Sequence, residues 1–317
     1  MLLSGALAGP LLGPGGTPTG REIAASTVFS PAAPGWGAAV VGDVGALAEV
    51  ATSSAQWLRA SRGVLPSATA GLPAELGIDV DRTLSTLDRI AEIVQQDAVS
   101  GANRLQDPAF VEANFELYWW APDAVGQQAA GLKVNTERIR LTRYYVTQVE
   151  GRAAAEGRWN TALYADPGPE ARVRFTRPEV VGGAWAAGGA QPLVWLTEAD
   201  VYEAQLQGTV EVLFPDGHRA RFNVHQHNGR PWKRGASRAS QPRYWYFRAV
   251  DDVLGWGEPD GCEACGKIVL KPNVAVAGDV WNLGPGRLIW VEATDGPRLV
   301  VLADSGGAFA ANLFQLD

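Results

Sequence analysis

The hydrophobic period of this chain changes at about residue 134, and that change limits the folds open to it. Before it, apolar residues recur every three to four positions. In "DVDRTLSTLDRIAEIVQQD" (79–97), Leu84, Leu87, Ile90, Ala91 and Val94 fall on one face, which predicts a helix. "DVGALAEVATSSAQWLRAS" (43–61) reads as another, and "DPAFVEANFELYWW" (107–120) as a third, opened by Asp-Pro. After residue 134 the period drops to two. "RIRLTRYYVTQVEG" alternates, and "LVWLTEADVYEAQLQGTVEVLFPDGHRARFNVHQHNG" predicts a hairpin turning at Pro-Asp-Gly. "RYWYFRAV", "VAVAGD", "RLIWVEAT" and "RLVVLAD" read as further strands. The expected fold class is mainly β with an N-terminal helical segment, behind an irregular leader at 1–40 rich in Gly, Pro and Ala.

The balance of residues excludes some functions. A net charge of −7 argues against nucleic acid as a partner, since nucleic acid rewards a basic face. No run of about 18 apolar residues is present, so no transmembrane helix is expected. "MLLSGALAGPLLGPGG" lacks the basic start of an export signal and reads as the remnant of one or as a disordered leader; there is no lipobox cysteine. Cys262 and Cys265 in "GCEACGK" are too few for a four-cysteine zinc site, and leave a short-loop disulfide, inert thiols, or a metal or redox role open. His225 and His227 sit in a strand-like run some way back. No nucleotide, flavin or metal motif occurs, and no cofactor is expected.

Six blocks then follow one another in a fixed order: "RLTRYY", "EGRWNTALYADP", "AQLQGTVEVLFPDGHRARFNVHQHNGRPW", "RYWYFRAV", "VAVAGD…LGPGRLIWVE" and "VVLADSGGAF". This order resembles the MltA-type membrane-bound lytic transglycosylases over residues 134–317, and more weakly back to about residue 50. The resemblance implies a double-psi β-barrel (the "3D" domain) with a smaller β domain inserted and a groove between them. Residues 41–147 and 248–317 would build the barrel domain with its helices, and 148–247 the insert. It also implies cleavage of the MurNAc–GlcNAc β-1,4 bond of peptidoglycan with 1,6-anhydro-MurNAc formation. Glycan strands would be the partner, with cell-wall machinery, in the periplasm or cell envelope.

The resemblance assigns the catalytic acid/base to Asp304 in "ADSGGA". The chemistry agrees: a strand presents the carboxyl stiffly, and apolar Leu302 and Ala303 raise its pKa by desolvation. One carboxyl can protonate the leaving oxygen and then take the proton of the attacking 6-hydroxyl. Ser305, Gly306 and Gly307 would let sugar approach the backbone. Asp279, otherwise a turn residue, is implied as a supporting carboxylate, with Asp317 or the substituted position Gln315 as the third.

Thr142, Tyr144 and Tyr145 match what the resemblance implies is a groove-lining strand, while Gln205 and Gln207, read as one strand face, suit N-acetyl and hydroxyl groups, with Gly208 offering close backbone approach. Asn228 reads as the turn residue of "NG". The sequence departs from the family at Arg143, where the family has glycine, and at Ala310-Ala311, where it has Lys or Arg followed by glycine. It also stops early, which would leave Asp317 frayed. These departures motivate a second reading, a catalytically inactive glycan-binding or scaffold protein of the same fold.

Overall fold

The computed structural model describes residues 8–12, 18–32, 39–233, 235–257 and 261–317. The chain divides into two compact units, Met1–Arg143 with Gly255–Asp317, and Tyr144–Leu254. The first seven residues, where the export-signal reading begins, lie outside the described part.

The first unit opens with strands β1 (Gly9–Leu12) and β2 (Pro18–Ile23), which pair antiparallel. After a single turn, α1 (Ala25–Val28), comes β3 (Phe29–Pro31). The 1–40 leader is therefore not irregular throughout. Its chain is captured by distant partners: the Leu12 amide donates to the side chain of Asn282 (2.7 Å), and β3 pairs with β4 (Tyr118–Trp120). That pairing also shortens the helix expected over 107–120. It closes as α4 (Pro108–Asn114), capped by Asp107, because Tyr118–Trp120 is committed to the sheet.

The two long helices form as the periodicity demands. α2 (Val44–Ser61) starts at Asp43, whose carboxylate accepts from the Ala46 amide (3.0 Å). α3 (Val80–Ser100) starts at Asp79, which accepts from the Arg82 amide (2.8 Å), and ends at Gly101 in the left-handed region (φ 73°). Leu84, Leu87, Ile90 and Ile93 are its buried face; Ala91 and Val94 flank it half-buried. The helices pack on each other, with Arg59 bonded to Asp88 across the solvent side (2.5 Å). A short helix, α5 (Ala124–Ala129), and β5 (Arg140–Leu141) complete this part.

The second unit holds β6 (Thr147–Glu150), β7 (Thr161–Tyr164), short helices α6 (Pro169–Arg172) and α7 (Arg177–Val181), and β8 (Pro192–Leu196). Next come α8 (Glu198–Gln207), β9 (Thr209–Leu213), β10 (Arg219–His227) and β11 (Trp245–Val250). The Pro-Asp-Gly hairpin forms as expected, with Leu213 opposite Arg219. Its four-stranded sheet runs β11-β10-β9-β6, with β6 parallel to β9. Leu163, Val194, Leu196, Val210, Val212 and Phe247 form its core. Burying a core leucine or phenylalanine fully stabilises a fold by about 1.5–3 kcal/mol.

The chain then returns to the first unit. β12 (Ala275–Ala277), α9 (Val280–Leu283), β13 (Leu288–Ala293) and β14 (Gly296–Asp304) give a sheet ordered β12-β14-β13, and β15 (Gln315–Leu316) pairs parallel with β5. The fold is mixed α/β rather than mainly β, since helices recur within the strand-rich part. Among the described strands no sheet closes into a barrel. Cys262 and Cys265 form a disulfide. No helix is long and apolar enough to cross a membrane among the described residues.

Candidate active site

β14 is the central strand of its sheet, held by β12 on one side and β13 on the other. Val300, Val301, Leu302 and Ala303 are buried, and Asp304 ends the run partly exposed. A central strand whose backbone is bonded on both flanks has little freedom, so the carboxyl is delivered from a rigid support. Behind it, Trp256 donates its backbone amide to the Ala303 carbonyl (2.9 Å) and stacks edge-on against the buried Trp281 (5.2 Å).

The local bonds hold Asp304 from three directions. Its Oδ1 accepts from the Ser305 amide (2.8 Å). The Gly278 amide donates to the Asp304 carbonyl (3.0 Å), and the Ser305 hydroxyl donates to the Gly278 carbonyl (2.7 Å). Burial pushes the pKa of Asp304 up to about 7, and the charge of Asp317 pushes the same way. The Ser305 amide and the positive charge of Lys267 pull it back down. Lys267 was not legible as part of this site; it stands 37 residues earlier, on a segment whose Ile268 amide bonds the Trp256 carbonyl (2.9 Å).

Asp317 is not frayed. Its amide donates to the Ala277 carbonyl (3.0 Å) and its carbonyl accepts from the Ala277 amide (2.9 Å). Ala277 is also the register partner of Asp304, so the two aspartates flank one residue. Asp317 Oδ1 is buried and has no hydrogen-bond partner among the described residues. Gln315 turns elsewhere and donates to the Thr142 hydroxyl (3.2 Å), which in turn donates to the Leu316 carbonyl (3.3 Å). Of the two positions weighed for a third carboxylate, Asp317 is the one whose charge reaches Asp304.

Asp279 is fully buried. As the cap of α9 it accepts from the Asn282 amide (3.2 Å) and side chain (2.7 Å). It also accepts from the Asn312 amide (2.9 Å), which ties this turn to the segment following Asp304. Burial pushes its pKa up to about 7 against these donors.

Gly306 and Gly307 are not required by packing. A Cβ at Gly306 would meet the Phe309 ring at 3.8 Å, and one at Gly307 would meet nothing within 4 Å; neither has a positive φ. Ala311 is the opposite case. It adopts φ 52°, where the family it resembles carries glycine. Ala311→Gly is therefore expected to stabilise the fold by about 1 kcal/mol and raise Tm by a few degrees, measurable by calorimetry.

The site residues expected in the second unit are arranged differently from the strand reading. Gln205 and Gln207 lie on helix α8, not on a strand, so they do not share a face. Thr197 caps that helix by accepting from the Asp200 amide (3.2 Å), a local signal that outweighs the apolar alternation. Gln205 is buried (8%), while Gln207 donates to Glu203 (3.0 Å). Tyr145, 59% exposed, donates its hydroxyl to the same Glu203 oxygen (3.2 Å), so Glu203 joins two predicted residues. Tyr144 is half-buried and Arg143 exposed. Gly208 ends α8 at φ 79°, a conformation that needs glycine there without invoking a ligand.

No family model matches the sequence, and no curated protein matches it. Solved structures do. The crystal structure of a membrane-bound lytic murein transglycosylase from Agrobacterium tumefaciens covers 92% of this chain and 90% of its own, at 16% identity and a TM-score of 0.63. That of E. coli MltA with bound chitohexaose covers 90% and 91%, at 16% identity and a TM-score of 0.55. This chain spans 65% of the length of MltA from Neisseria gonorrhoeae, with a TM-score of 0.45. The chain thus has the fold of the MltA-type lytic transglycosylases, whose ordered sequence blocks it also resembles.

Proposed function

We propose that this chain is a peptidoglycan lytic transglycosylase, with Asp304 as its single acid/base. The observation that carries the reading is one carboxyl at the end of a rigid strand, with a pKa of about 7, beside two glycines that packing does not require. An acid of that strength is protonated often enough at neutral pH to donate, and its conjugate base is strong enough to accept. The E. coli protein of this fold holds chitohexaose, which supports a glycan as ligand here.

In the proposed reaction, the Asp304 proton passes to the β-1,4 glycosidic oxygen as its bond to C1 of N-acetylmuramic acid breaks. The aspartate so formed takes the proton of the 6-hydroxyl of the same sugar while that oxygen closes on C1. The product is the 1,6-anhydro sugar, and Asp304 returns to its starting form. No second carboxylate is needed as nucleophile or water-activating base, because the attacking group is already held within the substrate. Lys267 favours the transient carboxylate. Asp279 serves as a positioning residue, holding the turn before α9 to the segment after Asp304. On this reading the first unit is the double-psi barrel, the second its insert, and the periplasm or cell envelope the working compartment.

The test is digestion of purified sacculi, with mass spectrometry of the soluble muropeptides. Wild type should release 1,6-anhydro products and Asp304→Asn none. Products carrying an added water would instead mean hydrolysis, and sedimentation with sacculi without release would mean a binding protein. Gly307→Ala separates approach from folding. Its methyl has room, so Tm should stay within about 1–2 °C of wild type, as expected of changes worth under about 0.5 kcal/mol. The rate should drop about tenfold or more, since a small misplacement of the reacting sugar is costly. An unchanged rate would remove the close-approach role from Gly307.

A further inference from the structure

The second unit contains a stretch with no acidic residue. From Gly217 to Val250 there are eight Lys/Arg and three His without one Asp or Glu, in a chain of net charge −7. Glu211 answers Arg219 (2.6 Å) and Arg221 (3.0 Å), which leaves the excess in the segment after β10.

That segment is built, although its described residues form no strand. Asn228 is fully buried and donates to the carbonyls of Phe175 and Pro242 (both 2.9 Å), while its oxygen accepts from the Tyr244 amide (3.0 Å). Gln241, also fully buried, bonds both the amide (2.8 Å) and the carbonyl (3.1 Å) of Lys233. The buried guanidinium of Arg177 donates to the Arg238 carbonyl (2.8 Å). Buried amides satisfied in this way fix the path of a loop that side-chain packing alone would leave loose.

What the loop presents is both cationic and apolar. Arg230, Lys233 and Arg238 are exposed, as is Arg174 on the neighbouring segment to which the loop is bonded. Among them stand Trp232 (43% exposed) and Val173 (45%), with the Val173 methyl close to Gly229. Acids also adjoin the patch, among them Glu170, exposed four residues before Arg174. Glu198 is 3.7 Å from both Arg177 and Arg238, and Glu179 is held by Thr176.

We propose that this loop face docks the protein on an anionic lipid bilayer. Lysine and arginine gain from the negative potential of an anionic leaflet, and an indole with a wet and a dry end favours the headgroup level. Gly229–Lys233 are consecutive exposed residues, and a continuous exposed surface suits a plane better than a bound peptide carboxylate, which calls for a recess.

The test is flotation of the purified full chain with vesicles of phosphatidylcholine alone or mixed with phosphatidylglycerol. The chain should float with the mixed vesicles only, and lose binding as salt rises from about 0.1 M to about 1 M. Each cation removed should weaken partition about fivefold, so the triple variant Arg174→Glu, Lys233→Glu, Arg238→Glu should lose about a hundredfold or more. Trp232→Ser should weaken it further at unchanged salt dependence. The triple variant's melting temperature, and product release from sacculi without lipid, should match wild type, so that failure of the enzyme reading leaves this result standing. Absence of flotation by the wild type, or a triple variant that floats equally well, would overturn the proposal. So would a wild type held by sacculi alone with that retention lost in the variant, which would reassign the surface to an anionic wall polymer.

Discussion

At pH 8 the Asp304→Asn variant will withstand more urea than the wild type while releasing no product from sacculi. A carboxyl whose folded pKa is about 7, against about 3.9 when unfolded, binds protons preferentially in the native state between those values. Wild-type stability therefore falls as pH rises from about 4 to about 7, and the whole cost is present above that range. The amide carries no such cost and can keep the bond from Ser305 through its oxygen. Near pH 4 the two proteins should be equally stable. By pH 8 the variant should lead by on the order of 2–3 kcal/mol, the partial exposure of the side chain keeping the gain below the full shift. Urea melts at pH 4, 6 and 8 measure it. A constant difference across pH would mean that folding does not shift the pKa of Asp304. The wild-type rate should also decline above about pH 7 as the donor loses its proton.

The second large effect lies at a carboxyl that touches no substrate in the proposed reaction. Asp279→Ala removes the acceptor of three N–H bonds in a fully buried place: the amide and side chain of Asn282, and the amide of Asn312. Each donor left unsatisfied costs about 1–3 kcal/mol, so a loss of about 3–5 kcal/mol is expected in urea unfolding. Asp279→Asn would be no full rescue, because one of the two accepting oxygens becomes an N–H group that faces other donors. A loss below about 1 kcal/mol for the alanine variant would mean that the turn holds without this carboxyl. Activity per folded molecule should fall as well, since Asn312 belongs to the segment that follows Asp304.

Much of this was legible because local chemistry and tertiary packing agree. The α3 face, the Pro-Asp-Gly hairpin and the strand carrying Asp304 each have a period, a cap or a turn that no distant partner contradicts. The failures have a different origin. At 197–208 an apolar alternation competed with a Thr cap and a Gly stop, and the caps decided. At 29–31 the strand exists because Tyr118–Trp120 supplies its partner, and the local β1–β2 pair is tied down by Asn282, which no local pattern announces. Lys267 reaches Asp304 through a ladder of backbone bonds, and Glu203 gathers Tyr145 and Gln207 only once α8 is a helix. Asp304 and Asp279 both lie in the first unit, and the closed barrel that the resemblance implied is not among the described sheets.

The first unit is assembled from two separated stretches of chain, Met1–Arg143 and Gly255–Asp317, with the second unit spliced between them. This has a kinetic consequence. Pairing β15 with β5, or the Leu12 amide with Asn282, closes a loop that spans the whole intervening unit. An intervening stretch that collapses early brings its two ends under control and shortens the effective loop, whereas a slack one delays every such contact. Mutations that slow the middle unit should thus retard formation of the surroundings of Asp304 although they lie outside the unit that holds it.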